Sequence, residues 1–409
     1  MKIILATSTF ELNGGGISSY AHDLVNVYKG DNEVVVITGD SYIKKIGDDF
    51  DVYNINWKNS SVDNAKKIIA LFERIKPDII VNSNAYLLSL ITPYLDDEIN
   101  IVNISHFVNG KLADIAGFNS EYVDSVISLS SFGKLYLDKK FNVSDKTKVK
   151  IVYNFLPQIK ESDAILEKKI KNEVLTIVYP GGSSLHKSPA LVSKILFSLI
   201  DTDLNFKFIW LGNTLLPISS LYTNKKTIRE IIPEDKRVIF TNRLTREEAQ
   251  EIIESANIFL LPSKGEGCPI SLLEAMRVGT IPIVSDSKHA SREIIKNGEN
   301  GFIVGQNDIY SFVNLIKDII FNSKRYESIY RNSLKTFVDE FNENKWKCNM
   351  DIVFMSKYNH TKRHPFNIFG YLVNVFRLRC LWYYNRCVEI FRSLKYHILF
   401  RIYIREYRK

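Results

Sequence analysis

Glu266 and Glu274 stand eight residues apart in a segment whose residue types suit the binding of anions and hydroxyls. It runs Pro262-Ser263-Lys264-Gly265-Glu266-Gly267-Cys268-Pro269-Ile270-Ser271-Leu272-Leu273-Glu274-Ala275-Met276. The apolar run Ile258–Leu261 before it reads as a buried strand, and Pro269 followed by leucine, alanine and methionine opens a helix. A helix that begins just past a parallel strand offers the backbone N–H groups of Ile270, Ser271 and Leu272 to a phosphate or diphosphate, and the positive end of its dipole helps. Glu266 on the loop and Glu274 one to two turns along the helix are placed to accept hydrogen bonds from sugar and ribose hydroxyls on either side of that diphosphate. Two glutamates at this spacing arise by chance about once in a chain this long, so the specificity lies in the strand–loop–helix context.

Other candidates follow other apolar runs. Asn13-Gly14-Gly15-Gly16-Ile17-Ser18 comes after the first and opens a helix; glycines let backbone amides approach an anion, though a plain tight turn uses them equally. The pattern is not Gly-x-Gly-x-x-Gly, so no nicotinamide cofactor is indicated. His106 ends the run Ile99–Ser105; a lone histidine there is either structural or a hydrogen-bonding group of a site. Lys187, in Pro180-Gly181-Gly182-Ser183-Ser184-Leu185-His186-Lys187-Ser188, offers a point charge for a diphosphate leaving group, against the alternative of a solvated surface lysine. Arg243 and Leu244 follow Val238–Phe240, and Arg243 could equally pair with Glu247. The seven histidines form no ligand cluster and no Asp-x-Asp stands at a strand end, so no metal site and no cofactor are expected.

Residues 266–286, Glu-Gly-Cys-Pro-Ile-Ser-Leu-Leu-Glu-Ala-Met-Arg-Val-Gly-Thr-Ile-Pro-Ile-Val-Ser-Asp, closely resemble the donor-binding signature of the retaining family-4 glycosyltransferases of the GT-B fold, also called glycosyl transferases group 1. The resemblance continues through Glu293, Asn297–Gly301 and Phe302–Val304. It covers about residues 1–340 and is dense from Val238 to Val304. It implies that Gly15 and Gly16 approach the donor diphosphate and that His106 hydrogen-bonds near the donor sugar without being a nucleophile. It further implies that Lys187, Arg243, Leu244, Ile270, Ser271, Leu272 and Glu274 bind the donor and that Glu266 lies nearest the reacting sugar. Many members have arginine where this chain has Gly182, which puts the usual pair of cations in doubt. Lys288-His289-Ala290 stands where relatives carry a glycine pair before the glutamate matched by Glu293, itself either a packing residue or a contact. Cys268 reads as packing.

The elements that must position these residues alternate. Short β-branched runs at Ile3–Thr7, Val34–Thr38, Ile79–Asn82, Ile101–Ile104, Val123–Leu129 and Val149–Tyr153 are separated by helical spacing at Ile17–Tyr28 and Val62–Ile75. After the charged stretch Gln158–Lys171, read as a link, the pattern restarts with Leu175–Tyr179, Phe206–Leu211, Val238–Phe240, Ile258–Leu261 and Ile281–Val284, and closing helices fall within Asp308–Phe337. The fold class is α/β: two doubly wound Rossmann-like domains facing a cleft, residues 1–160 on the acceptor side and 161–340 for the donor, then 341–409 as a closing helix and a helical basic-aromatic tail. A length of 409 residues agrees with two cores.

Composition adds the surroundings. Four cysteines without metal-like spacing, and a first apolar run too short for a signal peptide, place the chain in a reducing cytoplasm; Cys380 and Cys387 are spaced to share a helix face. Residues 357–409 hold twelve Lys or Arg against Glu389 and Glu406, a net of +10, so the rest of a chain of net charge +8 carries 8 − 10 = −2. Thirteen aromatics lie in the same 53 residues. The apolar run Phe366–Phe376 is too short to span a bilayer, and arginines among aromatics fit helices lying in an anionic membrane surface. Packing on the N-terminal domain or an oligomer contact is the alternative. The leading function is a retaining transfer of sugar from a nucleotide-diphosphate donor to a glycan or lipid-linked acceptor, in bacterial surface polysaccharide synthesis, by a cytoplasmic enzyme peripheral on the inner face of the membrane. A nucleotide-sugar epimerase or hydrolase, a non-catalytic scaffold and a nucleic-acid-binding protein are the alternatives; the tail has no recognised nucleic-acid motif, so no nucleic-acid partner is expected.

Overall fold

The computed structural model describes the chain apart from residues 12–14, 40–49, 142–147, 183, 215–226, 243, 288, 357–359 and 384–409. It divides into two compact units: Met1–Asn154 together with the described residues from Glu343 onward, and Phe155–Asn342.

The first unit is built on a parallel sheet of seven strands: β1 (Lys2–Thr7), β2 (Glu33–Thr38), β3 (Asp51–Asn54), β4 (Ile79–Ser83), β5 (Asn100–Ser105), β6 (Ser125–Ser128) and β7 (Val149–Ile151), in the order β3-β2-β1-β4-β5-β6-β7. The central strands β1, β4 and β5 are buried along nearly their whole length because helices cover both faces; most of their residues are apolar, and Asn82, Ser83, Asn100, Asn103 and Ser105 are buried polar exceptions. Helix Val62–Ile75 shows how the sequence dictates its own element. Ser61 caps it by accepting from the Asn64 N–H, and Ala65, Ile68, Ile69 and Phe72 form its buried stripe. Strand order reverses between β1 and β4, which makes their carboxyl ends the natural place for a ligand.

The second unit has six parallel strands: β8 (Leu175–Tyr179), β9 (Phe206–Trp210), β10 (Val238–Phe240), β11 (Ile258–Leu261), β12 (Ile281–Asp286) and β13 (Phe302–Gly305), in the order β10-β9-β8-β11-β12-β13. Here the order reverses between β8 and β11.

Each expected strand is present, and two more appear at sheet edges, β3 and β13. The charged stretch Gln158–Lys171 is not an open link. It contains helix Ser162–Ile170, which buries Leu166 and even Lys169, whose ammonium donates to the Thr280 hydroxyl.

After the second unit the chain returns to the first. Helix Glu343–Met355 docks there, with the Tyr28 hydroxyl donating to Asp351 at 2.7 Å and the Asn100 amide donating to the Phe354 carbonyl at 2.7 Å. Arg363 then enters the same unit, buried, and donates to the carbonyls of Tyr122 and Ile99, each at 3.0 Å, and to the Asp124 carboxylate at 3.2 Å. Residues 368–383 are helical, and Tyr371, Val375 and Leu378 join the apolar core of the first unit. Trp382 stacks near Tyr86, with ring centroids 4.7 Å apart, under the Lys111 ammonium. The described part of the tail therefore packs on the N-terminal unit, the alternative reading of its apolar residues. No helix among the described residues is long and apolar enough to cross a membrane.

Candidate active site

In the second unit the loops after β8 and β11, the two strands at the reversal, come together. Lys187 closes a short 3₁₀ turn, Leu185–Lys187, anchored by the Tyr179 hydroxyl donating to the Lys187 carbonyl at 2.9 Å. The Lys264 N–H donates to the His186 carbonyl at 2.7 Å, which ties the two loops backbone to backbone. Across that tie the Lys187 ammonium lies 3.4 Å and the His186 Nε2 3.8 Å from the same Glu266 oxygen. Lys187 is thus not a solvated surface lysine; it is paired with the buried Glu266 carboxylate.

Burial alone would push the Glu266 carboxyl up. Lys187, His186 and the Ser263 hydroxyl, which donates to it at 3.1 Å, outweigh burial and hold it below the usual carboxylate range. Glu266 is therefore a charged acceptor at neutral pH, able to take hydrogen bonds from sugar hydroxyls. Glu274 sits one step deeper, on helix Ile270–Met276, and burial pushes its carboxyl up against the lowering fields of Arg246 and Arg277. The two carboxylates of the motif thus have opposite electrostatic settings.

At the start of that helix Pro269 carries no side-chain cap. The Leu272 N–H is already used, donating to the Pro269 carbonyl at 3.1 Å, so of the three expected amides Ile270 and Ser271 are the ones facing forward without an acceptor among the described residues.

Gly182, where an arginine stands in many relatives, has φ +49°, in the left-handed region. An added Cβ would lie 3.1 Å from the Asn213 carbonyl oxygen. The Gly182 N–H and carbonyl are both engaged, with Leu211 and with the Trp210 indole. A side chain in this turn would be strained, and the group that stands beside Lys187 is the His186 imidazole, which burial lowers from its usual range. Arg243 lies outside the described residues. Leu244 is half-buried, one residue before the Thr245–Glu248 capping box of the next helix.

Sequence reasoning missed four residues. Ser263 is a direct partner of Glu266. The hydroxyls of Ser285 and Ser287 both donate to the Ser263 carbonyl, at 2.5 and 3.0 Å, and pin the loop that carries Glu266. His289 is fully buried beside that loop, and burial holds its imidazole neutral. For Ser285, Ser287 and His289 the signal was the Ser-x-Ser-x-His alternation at the end of β12, which only the strand end makes meaningful.

In the first unit, Gly15 takes φ +82° as the cap of helix Gly16–Tyr28, at the end of the connection that follows β1; Asn13 and Gly14 lie outside the described residues. His106 follows β5 as expected. Burial lowers its imidazole to about 4, and Nε2 makes a 2.8 Å hydrogen bond with the Ser83 hydroxyl at the end of β4. A neutral imidazole fixed through Nε2 is able to donate or accept a hydrogen bond.

Residues 162–336 match the family model described as glycosyl transferases group 1, which covers nearly all of this second unit. This second unit is thus similar to glycosyl transferases group 1 along nearly its whole length. Among curated relatives, the UDP-Gal:alpha-D-GlcNAc-diphosphoundecaprenol alpha-1,3-galactosyltransferase of Escherichia coli is 26% identical over 48% of this chain and 51% of its own length. The lipopolysaccharide 1,6-galactosyltransferase of E. coli K12 is 25% identical over 60% of this chain and 66% of its own. The alignments thus span about half to two thirds of the relatives' length. Solved structures extend the likeness in fold. Anabaena HepE bound to UDP-glucose superposes with a TM-score of 0.67 at 13% identity, covering 86% of this chain and 99% of that one. TarM of Staphylococcus aureus does so with 0.70 at 12%, covering 87% and 100%. The fold is that of the GT-B glycosyltransferases.

Proposed function

We propose that this chain is a retaining glycosyltransferase of group 1 that moves a hexose from a nucleoside diphosphate to a glycan or lipid-linked acceptor in bacterial surface polysaccharide synthesis. The observation that carries the reading is the Lys187–Glu266 pair at 3.4 Å, formed where the family's donor signature meets the strand reversal. In the reaction the bond from the anomeric carbon to the diphosphate breaks, and the acceptor oxygen bonds to the same face of that carbon. The acceptor proton goes to the departing diphosphate. Lys187 and the Ile270 and Ser271 amides would neutralise the charge that builds on the leaving group, while Glu266 orients the sugar. Nothing in this scheme calls on a metal ion. One relative named for transfer from UDP-Gal, and a solved neighbour bound to UDP-glucose, make uridine diphosphate hexoses the first donors to try. The named acceptor of one relative, a diphosphoundecaprenol-linked sugar, supports a lipid-linked acceptor and an enzyme working against the inner face of the membrane.

The test is thermal stabilisation by UDP, UDP-galactose, UDP-glucose and GDP-mannose, followed by transfer to lipid-linked acceptors in EDTA. One donor should stabilise the wild type, and transfer should survive the chelator. Donor turnover without any acceptor would assign a hydrolase or epimerase instead. Stabilisation by none of the nucleotides would overturn the reading, and loss of transfer in EDTA that magnesium or manganese restores would overturn its metal independence.

A further inference from the structure

The helix over residues 368–383 has two apolar faces, and the first unit uses one. Tyr371, Val375 and Leu378 are buried against it, and the Tyr371 hydroxyl donates to the Ser60 carbonyl at 3.0 Å. On the opposite side Phe369 is 76%, Phe376 69% and Tyr383 71% exposed, with Leu372 and Val373 between them at 49% and 40%. At about 100° per residue these side chains, with Cys380, fall inside an arc of about 100°, and Arg377 and Arg379 stand roughly 80° to either side of Phe369.

An outward stripe with an arginine on each flank suits a plane that is apolar below and anionic at its surface. A folded protein partner would not require cations on both margins. The stripe also borders a groove of about 740 Å³ in the same unit, lined by Phe118, Phe141, Phe376 and Arg377 among others. There the Arg377 guanidinium lies over the Phe118 ring, 5.5 Å from its centre, and donates to Asn374 at 3.3 Å.

We propose that this face is the membrane-docking surface. The helix lies in the plane of the bilayer interface, its aromatic stripe enters the acyl boundary, and Arg377 and Arg379 bind the phosphates of anionic phospholipids. The proposal rests on the membrane-side location proposed above only for choosing a bilayer over a protein as the occupant.

The experiment uses the full chain with vesicles of phosphatidylglycerol and phosphatidylethanolamine, and with phosphatidylcholine alone, at low and high salt. Wild type should sediment with the anionic vesicles, more weakly as salt rises. Phe369→Ser/Phe376→Ser should weaken that binding at least tenfold, since each buried aromatic supplies roughly a tenfold factor. Arg377→Glu/Arg379→Glu should do so selectively at low salt. Phe369 and Phe376 are exposed, so the serine variant should keep the wild-type melting temperature. Arg377 and Arg379 also touch Phe118, Asn374 and Ser60, so the glutamate variant is compared with Arg377→Gln/Arg379→Gln, which loses the same contacts without adding negative charge. No binding by wild type, or equal binding by the serine variant, would overturn the proposal. So would a wild-type dimer in sedimentation that the serine variant dissolves, because the face would then be a protein interface. UDP-induced stabilisation is read in parallel: its absence with vesicle binding intact rejects the transferase reading and leaves this one standing.

Discussion

Glu274, expected to bind the donor, costs the fold that holds it. Its carboxyl is buried, and burial outweighs the nearby arginines and pushes it up, so its charged form costs stability at neutral pH. Glu274→Gln should therefore raise the melting temperature by about 2–4 °C, equivalent to roughly 1 kcal/mol, while weakening UDP ten- to a hundredfold through a lost charge-assisted hydrogen bond of about 1.5–3 kcal/mol. A drop in melting temperature with unchanged UDP affinity would make it a packing residue. His106 predicts a pH dependence of definite sign. Its imidazole is lowered from 6.5 to about 4, so below pH 6.5 the unfolded chain takes up a proton that the folded chain refuses. Its contribution is complete above pH 6.5 and is lost as the pH falls toward 4, up to roughly 3 kcal/mol. His106→Phe should flatten that part of the acid-unfolding curve; an unchanged acid limb would place the loss on other groups, of which His186 and His289 are lowered in the same direction.

At the scale of elements, the alternation of apolar runs made the central strands legible, because strands covered on both faces must be largely apolar. The edges were not. β3 reads Asp-Val-Tyr-Asn and is half-exposed, and β13 is a four-residue edge strand ending in glycine; both owe their pairing to a neighbour, β2 and β12, more than to their own pattern. The glutamate motif was readable as strand, loop and helix, whereas the meeting of Lys187 with Glu266, 79 positions apart, depends on β8 lying beside β11. The turn after β8 is equally invisible in sequence, and it explains the missing arginine. Gly182→Ala should cost about 1–3 kcal/mol, since a side chain must adopt the left-handed conformation while its Cβ presses on the Asn213 backbone. Gly182→Arg should likewise destabilise and should not speed transfer; a faster, stable arginine variant would show that the turn adapts and that the second cation was simply absent.

For the whole molecule, the tail is where the reading from charge alone is most changed. Its net of +10 over residues 357–409 suggests a free basic appendage, removable after Ser356 without harm to the fold. Yet Arg363 spends its charge inside the first unit, on Asp124 and three backbone carbonyls, and Tyr371, Val375 and Leu378 are core residues. At about 1.5–3 kcal/mol for each apolar side chain buried, those three alone contribute on the order of 5–9 kcal/mol, comparable with the entire stability of an ordinary domain. Truncation after Ser356 should therefore unfold or strongly destabilise the first unit. The second unit holds Lys187, Glu266 and Glu274 and has its own core, so it should keep a separate, UDP-sensitive transition. Truncation after Tyr383 removes none of the described contacts and should leave both transitions in place. Calorimetry on the two truncations, with and without UDP, separates the cases. A single unaltered melting curve for the shorter chain would mean that the helix over 368–383 is an accessory laid on a unit already stable without it.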